Sequence, residues 1–275
     1  MEFKDRSVRH AVNTGAYYPI DKGALFQHVD SSLCSYIIPE DIFRRKIKAV
    51  LAPCLPYESA ESLYSAAYAP LMDMNIDEVF IFSDSVLHKS DFVAFADYQY
   101  WEFPTGKFKT THRLENITNS DDAIQDILKV DNTKHQGEIS IECQLPFLFE
   151  ILKNKEPRLI PFMIGDVSPR LLSTCIKKFI DPDDLLICVC NISRGIPGDF
   201  AEAADTTVID IIKRLDLGCL EGDLPTVTAP NSLSFLCNLA KTKGWEPIVL
   251  DHSVVTISGH LVDSTVGAAS ILFVE

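Results

Sequence analysis

The sequence predicts a single α/β domain over residues 1–275, with a mostly parallel or mixed central sheet flanked by helices on both faces. Three observations predict it. Short apolar runs rich in β-formers recur along the chain, segments with helical spacing separate them, and no internal repeat, low-complexity tract or Gly/Ser linker divides the sequence. One domain is the simplest account of that pattern.

The elements follow in order. Residues 47–52 read as a strand, closed by a turn at 53–57 that carries Pro53 and Pro56. A helix fits 59–71, where Ala60, Ala66, Ala67 and Ala69 permit close packing, and 78–83 is the next buried strand. The segment 90–117 is aromatic-rich (Tyr98, Tyr100, Trp101, Phe103) and carries Pro104 and Gly106, so it reads as a hairpin excursion that folds back onto the domain. Strands are then expected at 159–164, 185–190, 247–250 and 266–274, with helices at 141–152, 169–180, 200–215 and 232–243. In such folds the working site lies beyond the carboxyl ends of the strands. The turns after Ala52, Ser83 and Cys190 are therefore where chemistry is expected.

Composition narrows the function classes. Hydrophobic residues make up 47% and charged residues 23%, the balance of a soluble globular protein. No run of about 18 apolar residues offers a membrane span, and the mixed, charged residues 1–10 lack a signal-peptide core. A cytoplasmic location is expected. The net charge of −14, from 25 Lys and Arg against 39 Asp and Glu, argues against nonspecific binding to nucleic acid or anionic lipid. Acidic clusters at Asp121–Asp122 and 181–184 read as solvated loops. Of the eight cysteines, most lie in apolar runs, Cys188 and Cys190 among them, and none forms a C-x-x-C pair. Reduced thiols are expected, and a structural zinc ribbon is not.

A series of motifs then falls at the strand ends. Residues 9–19 (RHAVNTGAYYP) place a small-Gly pair before an aromatic-Tyr-Pro, and 49–57 (AVLAPCLPY) join an apolar strand to a Pro-rich turn. Tyr64 and Ala66-Ala67-Tyr68 follow in the next helix, then 79–86 (VFIFSDSV) and 103–106 (FPTG). The most specific stretch is 138–148 (EISIECQLPFL), followed by 159–166 (LIPFMIGD), 186–195 (LICVCNISRG), the acidic Asp205 and Asp216, and Val266-Gly267-Ala268-Ala269. In order and spacing these resemble the Memo family, including its prokaryotic branch called AmmeMemoRadiSam system protein B, a relative of the class III extradiol dioxygenases. The resemblance runs from about Arg9 to the C-terminus and implies a Memo-like, extradiol dioxygenase-like fold.

The resemblance also implies a cleft in which histidines and a cysteine can hold a metal such as iron. Such a site needs imidazole, thiolate or carboxylate ligands converging from several strand ends. Here every such position departs. The His of the family's P-H-A-G-Y is Cys54, that of G-P-S-H is Val86, and that of E-H-S-x-E is Ile139. The Asp and His of S-D-x-x-H are Asn191 and Arg194, and the family's cysteine falls at Thr228. Valine and isoleucine ligate nothing, and an arginine opposes a divalent cation. No metal or other cofactor is expected. A site rebuilt from Cys54, His88 and Glu142 has no spacing signature behind it, and His135 and His252 read as surface or hydrogen-bonded histidines.

Two residues keep chemical promise. Cys54 follows a strand and precedes a helix whose N-terminus would lower a thiol pKa, although no base for it can be named. It is the weak catalytic candidate. Arg194 either binds a carboxylate or phosphate bidentately or pairs with Asp84 or Asp199 to hold loops together. The family has been proposed to bind phosphotyrosine-containing peptides near this cleft, so anion recognition would suit the resemblance. Tyr17, Tyr18 and Tyr57 are expected to line the cleft with Cys54, Val86, Asn191, Arg194 and Thr228. The expectation is a non-catalytic binding or scaffold protein for a protein, peptide or small anionic ligand. A diverged enzyme, with a rebuilt metal site or Cys54-dependent activity, is the alternative.

Overall fold

The computed structural model describes residues 7–85, 89–111, 113, 125–152, 155, 157–220, 224, 226–257 and 264–275. Its strands are β1 (Val8–Arg9), β2 (Ile47–Ala52), β3 (Glu78–Asp84), β4 (Val93–Phe95), β5 (Tyr100–Phe103) and β6 (Gly106–Thr110), then β7 (Leu128–Val130), β8 (Arg158–Ile164), β9 (Leu185–Val189), β10 (Ser193–Arg194), β11 (Glu246–Ile257) and β12 (Ser264–Val274). Its α-helices are α1 (Lys22–Ser35), α2 (Tyr57–Tyr68), α3 (Leu145–Leu152), α4 (Pro169–Ile176), α5 (Gly198–Arg214), α6 (Leu217–Leu220) and α7 (Pro230–Lys243).

The four most apolar runs become the centre of one mixed sheet, in the order β8-β3-β9-β2, and all pair in parallel. Strands buried on both faces carry apolar side chains at every position rather than alternate ones. In β2 all six residues are buried. Val50 and Ala52 point with Val79, Ile81, Leu159 and Ile187 into a core shared with α1, α2 and α3. Ala49 and Leu51 point with Phe80, Phe82, Phe162 and Cys188 into a second core under α4, α5 and α7. Burying each of these phenylalanines contributes about 1.5–3 kcal/mol. The two cores hold the strands in one plane and leave their carboxyl ends open on one side.

The antiparallel elements flank that centre. β12 runs against β2 and carries β11 and β10 on its other contacts. On the far edge β5 and β6 form the expected hairpin within the 90–117 excursion, with β6 parallel to β8. Between β11 and β12 the pairing extends from Glu246 to Ile257, well beyond the short strand at 247–250, with a register shift between Val249 and Asp251. Those added residues are half-buried and partly polar (Asp251, His252, Ser253), which hides them from a search for apolar runs.

One expectation is corrected, and one element, the helix α1, has no counterpart in the expected series. Its buried residues Leu25, Val29, Ser32 and Leu33 lie on one stripe, and Asp21 caps it by accepting from the Ala24 N–H at 2.8 Å. The acidic loop at 181–184 is not wholly solvated, because Asp184 is buried and accepts from the Asp181 N–H at 2.8 Å and from Arg113 at 3.1 Å. Asp121–Asp122 lie outside the described residues. All eight cysteines are free. Among the described residues no helix is long and apolar enough to cross a membrane.

Candidate functional site

A cavity of about 380 Å³ opens at the carboxyl ends of the parallel strands. Cys54 and Leu55 reach it from the turn after β2, Ser83 from the end of β3, and Val189 and Asn191 from the end of β9. Arg194 comes from β10, Thr228 from the loop before α7, and Ile257, Ser264 and Val266 from the β11–β12 pair. Tyr17 and the 137–140 loop with Glu138, Ile139 and Ser140 complete the lining. The structure thus brings together Tyr17, Cys54, Asn191, Arg194 and Thr228.

The other expected lining residues lie elsewhere. Tyr18 and Tyr57 belong to the core. The Tyr18 hydroxyl donates to Glu142 at 2.6 Å, and the Tyr57 hydroxyl donates to the Cys143 carbonyl at 2.6 Å. Tyr57 packs against Tyr18, Tyr64, Phe147 and His28 with ring centroids 4.8–5.6 Å apart. A phenol with its ring in an aromatic cluster and its hydroxyl on a buried acceptor is a packing residue. Val86 and His88 lie outside the described residues.

The cavity floor is tied by hydrogen bonds among its own side chains. The Cys54 N–H donates to the Asn191 carboxamide oxygen at 2.8 Å, while the Asn191 amide donates back to the Cys54 carbonyl at 2.9 Å. That reciprocal pair extends the β2–β9 ladder beyond its last backbone bond, from the Cys190 N–H to the Ala52 carbonyl at 3.0 Å. The Asn191 N–H donates to Thr228 Oγ1 at 2.8 Å, and the Thr228 N–H donates to the Asn191 carbonyl at 3.1 Å. Asn191 and Thr228 therefore hold loops rather than present free donors. The Cys54 thiol lies 3.9 Å from the Cys143 sulfur. Hydrogen bonding to Cys143, then burial, push its pKa well above the ordinary thiol value. The expected lowering at the N-terminus of α2 does not occur. The Tyr17 phenol is likewise pushed up to about 12, by burial first and then by the thiols of Cys54 and Cys143 and the Glu138 carboxylate.

Glu142, considered above as a metal ligand, is fully engaged. It forms a buried ion pair with Arg9 and accepts from the Val12 N–H at 3.1 Å, the Asn13 N–H at 2.8 Å and the Tyr18 hydroxyl. Arg9 also donates to the carbonyls of Glu138 at 2.7 Å and His135 at 3.2 Å. His135 is buried, bonds the Ala94 carbonyl at 3.0 Å and is pushed down to about 4 by burial, so it is a core histidine. His252 bonds Asp205 at 2.7 Å. Among the described residues no group of three or more His, Cys, Asp or Glu is placed to hold a metal ion. The side chains at the positions that the family resemblance assigns to ligands do not fit a divalent metal. Their amide and hydroxyl are committed to backbone, and Arg194 brings a positive charge.

Arg194 differs from its neighbours. Its side chain is exposed and has no ion pair or hydrogen-bond partner among the described residues. Pairing with Asp84 does not occur. Asp84 accepts instead from the N–H groups of Asn231 at 3.0 Å and Ser232 at 2.7 Å and from the Ser232 hydroxyl at 2.6 Å, capping α7 where Ala229 and Pro230 cannot. The opposite charge in the cavity is Glu138, which accepts from the Ser140 hydroxyl at 2.9 Å. Glu138 escaped the sequence reading as a lining residue, although it heads the EISIECQLPFL stretch.

Comparison with known proteins concerns the chain as a whole. The family model described as Memo-like protein matches residues 6–272. A MEMO1 family protein of Ignicoccus hospitalis is 25% identical over 97% of this chain and 98% of its own length. One from Methanothermobacter thermautotrophicus is 25% identical over 76% of this chain and 78% of its own. The match to a MEMO1 family protein of Pyrococcus furiosus, at 28% identity, spans 58% of this chain and about half of that protein, 53%. Among solved structures, an uncharacterized protein from Escherichia coli K12 overlays with a TM-score of 0.49 at 11% identity, over 82% of this chain and 99% of that one.

Proposed function

We propose that this chain, which belongs to the Memo-like protein family, is a metal-free, non-catalytic binding protein of the cytoplasm that takes a small anionic ligand into the cavity at the ends of β2, β3 and β9. Arg194 is the anchor. The observation that carries this reading is a guanidinium at the wall of a 380 Å³ cavity with no partner among the described residues, in a chain of net charge −14. A free guanidinium fork matches a carboxylate or phosphate group, and the cavity lies within the size range of small-molecule pockets. Glu138 on the same lining favours a ligand that carries a donor as well as an anionic group.

The absence of catalysis is supported by what surrounds Cys54. Its thiol is kept protonated by Cys143 and by burial, whereas a nucleophilic cysteine needs a lowered pKa or a base. Glu142 and His135, two of the candidates for a base or a rebuilt metal site, are bound into the fold. An NMR titration with inorganic phosphate, benzoate and phenyl phosphate tests the reading. Saturable shifts at Cys54, Glu138, Asn191 and Arg194 are expected for at least one probe, with an affinity at least tenfold weaker in Arg194→Gln. Absence of saturable shifts with all three, or unchanged affinity in the variant, contradicts it.

A further inference from the structure

The cavity floor holds a feature that anion binding does not use. The sulfurs of Cys54 and Cys143 approach to 3.9 Å although the residues are 89 positions apart in sequence. Cys54 lies on the cavity lining, and Cys143 is buried behind it. The backbone on both sides is fixed: Asn191 holds the Cys54 N–H and carbonyl, while Tyr57 donates to the Cys143 carbonyl at 2.6 Å and the Cys143 N–H donates to the Ile139 carbonyl at 2.9 Å. A disulfide requires the sulfurs to close to about 2.05 Å. With both backbones held, that closure falls to rotation of the two side chains.

We infer that Cys54 and Cys143 form an oxidisable pair, converted to an intramolecular disulfide by a small hydroperoxide that enters the cavity. The chemistry balances in two steps. The Cys54 thiol loses its proton to solvent, the resulting thiolate attacks the outer oxygen of the peroxide, and the O–O bond breaks; the alkoxide or hydroxide released takes up a proton and leaves as alcohol or water, and Cys54 becomes a sulfenic acid. The Cys143 sulfur then attacks the Cys54 sulfur, the S–O bond breaks, and the hydroxyl departs as water with the Cys143 proton. The pair has lost two electrons and the peroxide has gained them.

The neighbours connect this reaction to the cavity. The Cys143 thiol donates to the Ser140 carbonyl at 3.3 Å, and its sulfur accepts from the Gln144 amide at 3.0 Å. The same Gln144 amide donates to the Pro53 carbonyl at 2.8 Å, beside Cys54. Moving the Cys143 sulfur therefore loosens contacts to the two loops that carry Ser140 and Cys54. Because the Cys54 thiol stays protonated at neutral pH, oxidation is slow and needs sustained peroxide. The inference does not depend on what occupies the cavity.

The test treats the reduced full chain with hydrogen peroxide, blocks remaining thiols with iodoacetamide under denaturing conditions, and maps linked peptides by mass spectrometry. The expected result is a Cys54–Cys143 link within one chain, reversed by dithiothreitol, with a higher unfolding temperature in the linked form. In Cys143→Ser, dimedone should label Cys54. The inference is overturned by both thiols remaining fully alkylated after peroxide, or by links confined to the exposed Cys34 and Cys219. Should the variant fail to fold, the map of the unaltered chain decides alone.

Discussion

Arg9 bonds the loop that carries Glu138 and Arg194 lines the same cavity as that loop, yet one is sealed among partners and the other faces the open cavity. Arg9 is buried, ion-paired with Glu142, bonded to the carbonyls of His135 and Glu138, and stacked at 5.1 Å over Trp101. Arg194 is exposed and has no partner among the described residues. The network around Arg9 joins the N-terminal segment to the 138–144 region across more than 120 positions of sequence. It fixes one wall of the cavity. The difference separates charge used to hold the fold from charge left available to a ligand, and the two should respond oppositely to mutation.

The largest effect should come from breaking the buried pair. Glu142→Ala leaves Arg9 buried without its counter-charge, and a loss of about 3–5 kcal/mol in urea unfolding is expected. A loss below about 1 kcal/mol would place Arg9 in a wetter site than the structure gives it. pH sharpens the same point. Burial pushes the Glu142 carboxyl up, but Arg9, the Tyr18 hydroxyl and the Val12 N–H outweigh it and hold the pKa below the ordinary value. A depressed carboxyl contributes stability above its unfolded pKa and loses it as pH falls through the lower folded value. The advantage of the native chain over Glu142→Gln should therefore persist at neutral pH and diminish as pH falls below the ordinary carboxylate value.

The next effect belongs to the cavity floor. Asn191→Ala orphans the Cys54 N–H and carbonyl, and a loss of roughly 1–3 kcal/mol is expected by the same unfolding measurement. Asp84 supplies a pH response of opposite sign to that of Glu142. Burial, opposed by bonds from Ser232 and Asn231, pushes its carboxyl up to about 6. A raised carboxyl favours the fold at low pH, and that contribution is lost as pH rises from the ordinary carboxylate value through about 6. Stability of the native chain relative to Asp84→Asn should fall across that window, and a rise would contradict the assignment. The smallest change is expected for Arg194→Gln. Its stability should stay within about 0.5 kcal/mol of the native chain, because the side chain has no partner among the described residues.

The central strands were legible because doubly buried strands are written as continuous apolar runs. Residues 47–52 match β2 throughout, and 78–83 and 159–164 each fall one residue short of β3 and β8. The helix α1 was not legible although its capping Asp21 and the stripe of Leu25, Val29 and Leu33 are present, since those three are the only buried apolar residues among its 14. Of the cavity, the strand-end turns were legible in the residue pattern, while Cys54, Asn191, Arg194 and Thr228 were named only through the family resemblance. The sequence could not separate Tyr17, which lines the cavity, from the adjacent Tyr18, which turns into the core, because that depends on the partner Glu142 124 residues away. The approach of Cys143 to Cys54 is invisible for the same reason, being a product of tertiary packing alone.

The most direct test of the central claim is the metal content of the full chain, purified without an affinity tag and measured by inductively coupled plasma mass spectrometry, before and after incubation with iron, copper or zinc salts and desalting. A metal-free binding cavity predicts far less than one equivalent of each metal in both states. A one-to-one content of any of them, lost in Cys54→Ala, would contradict it.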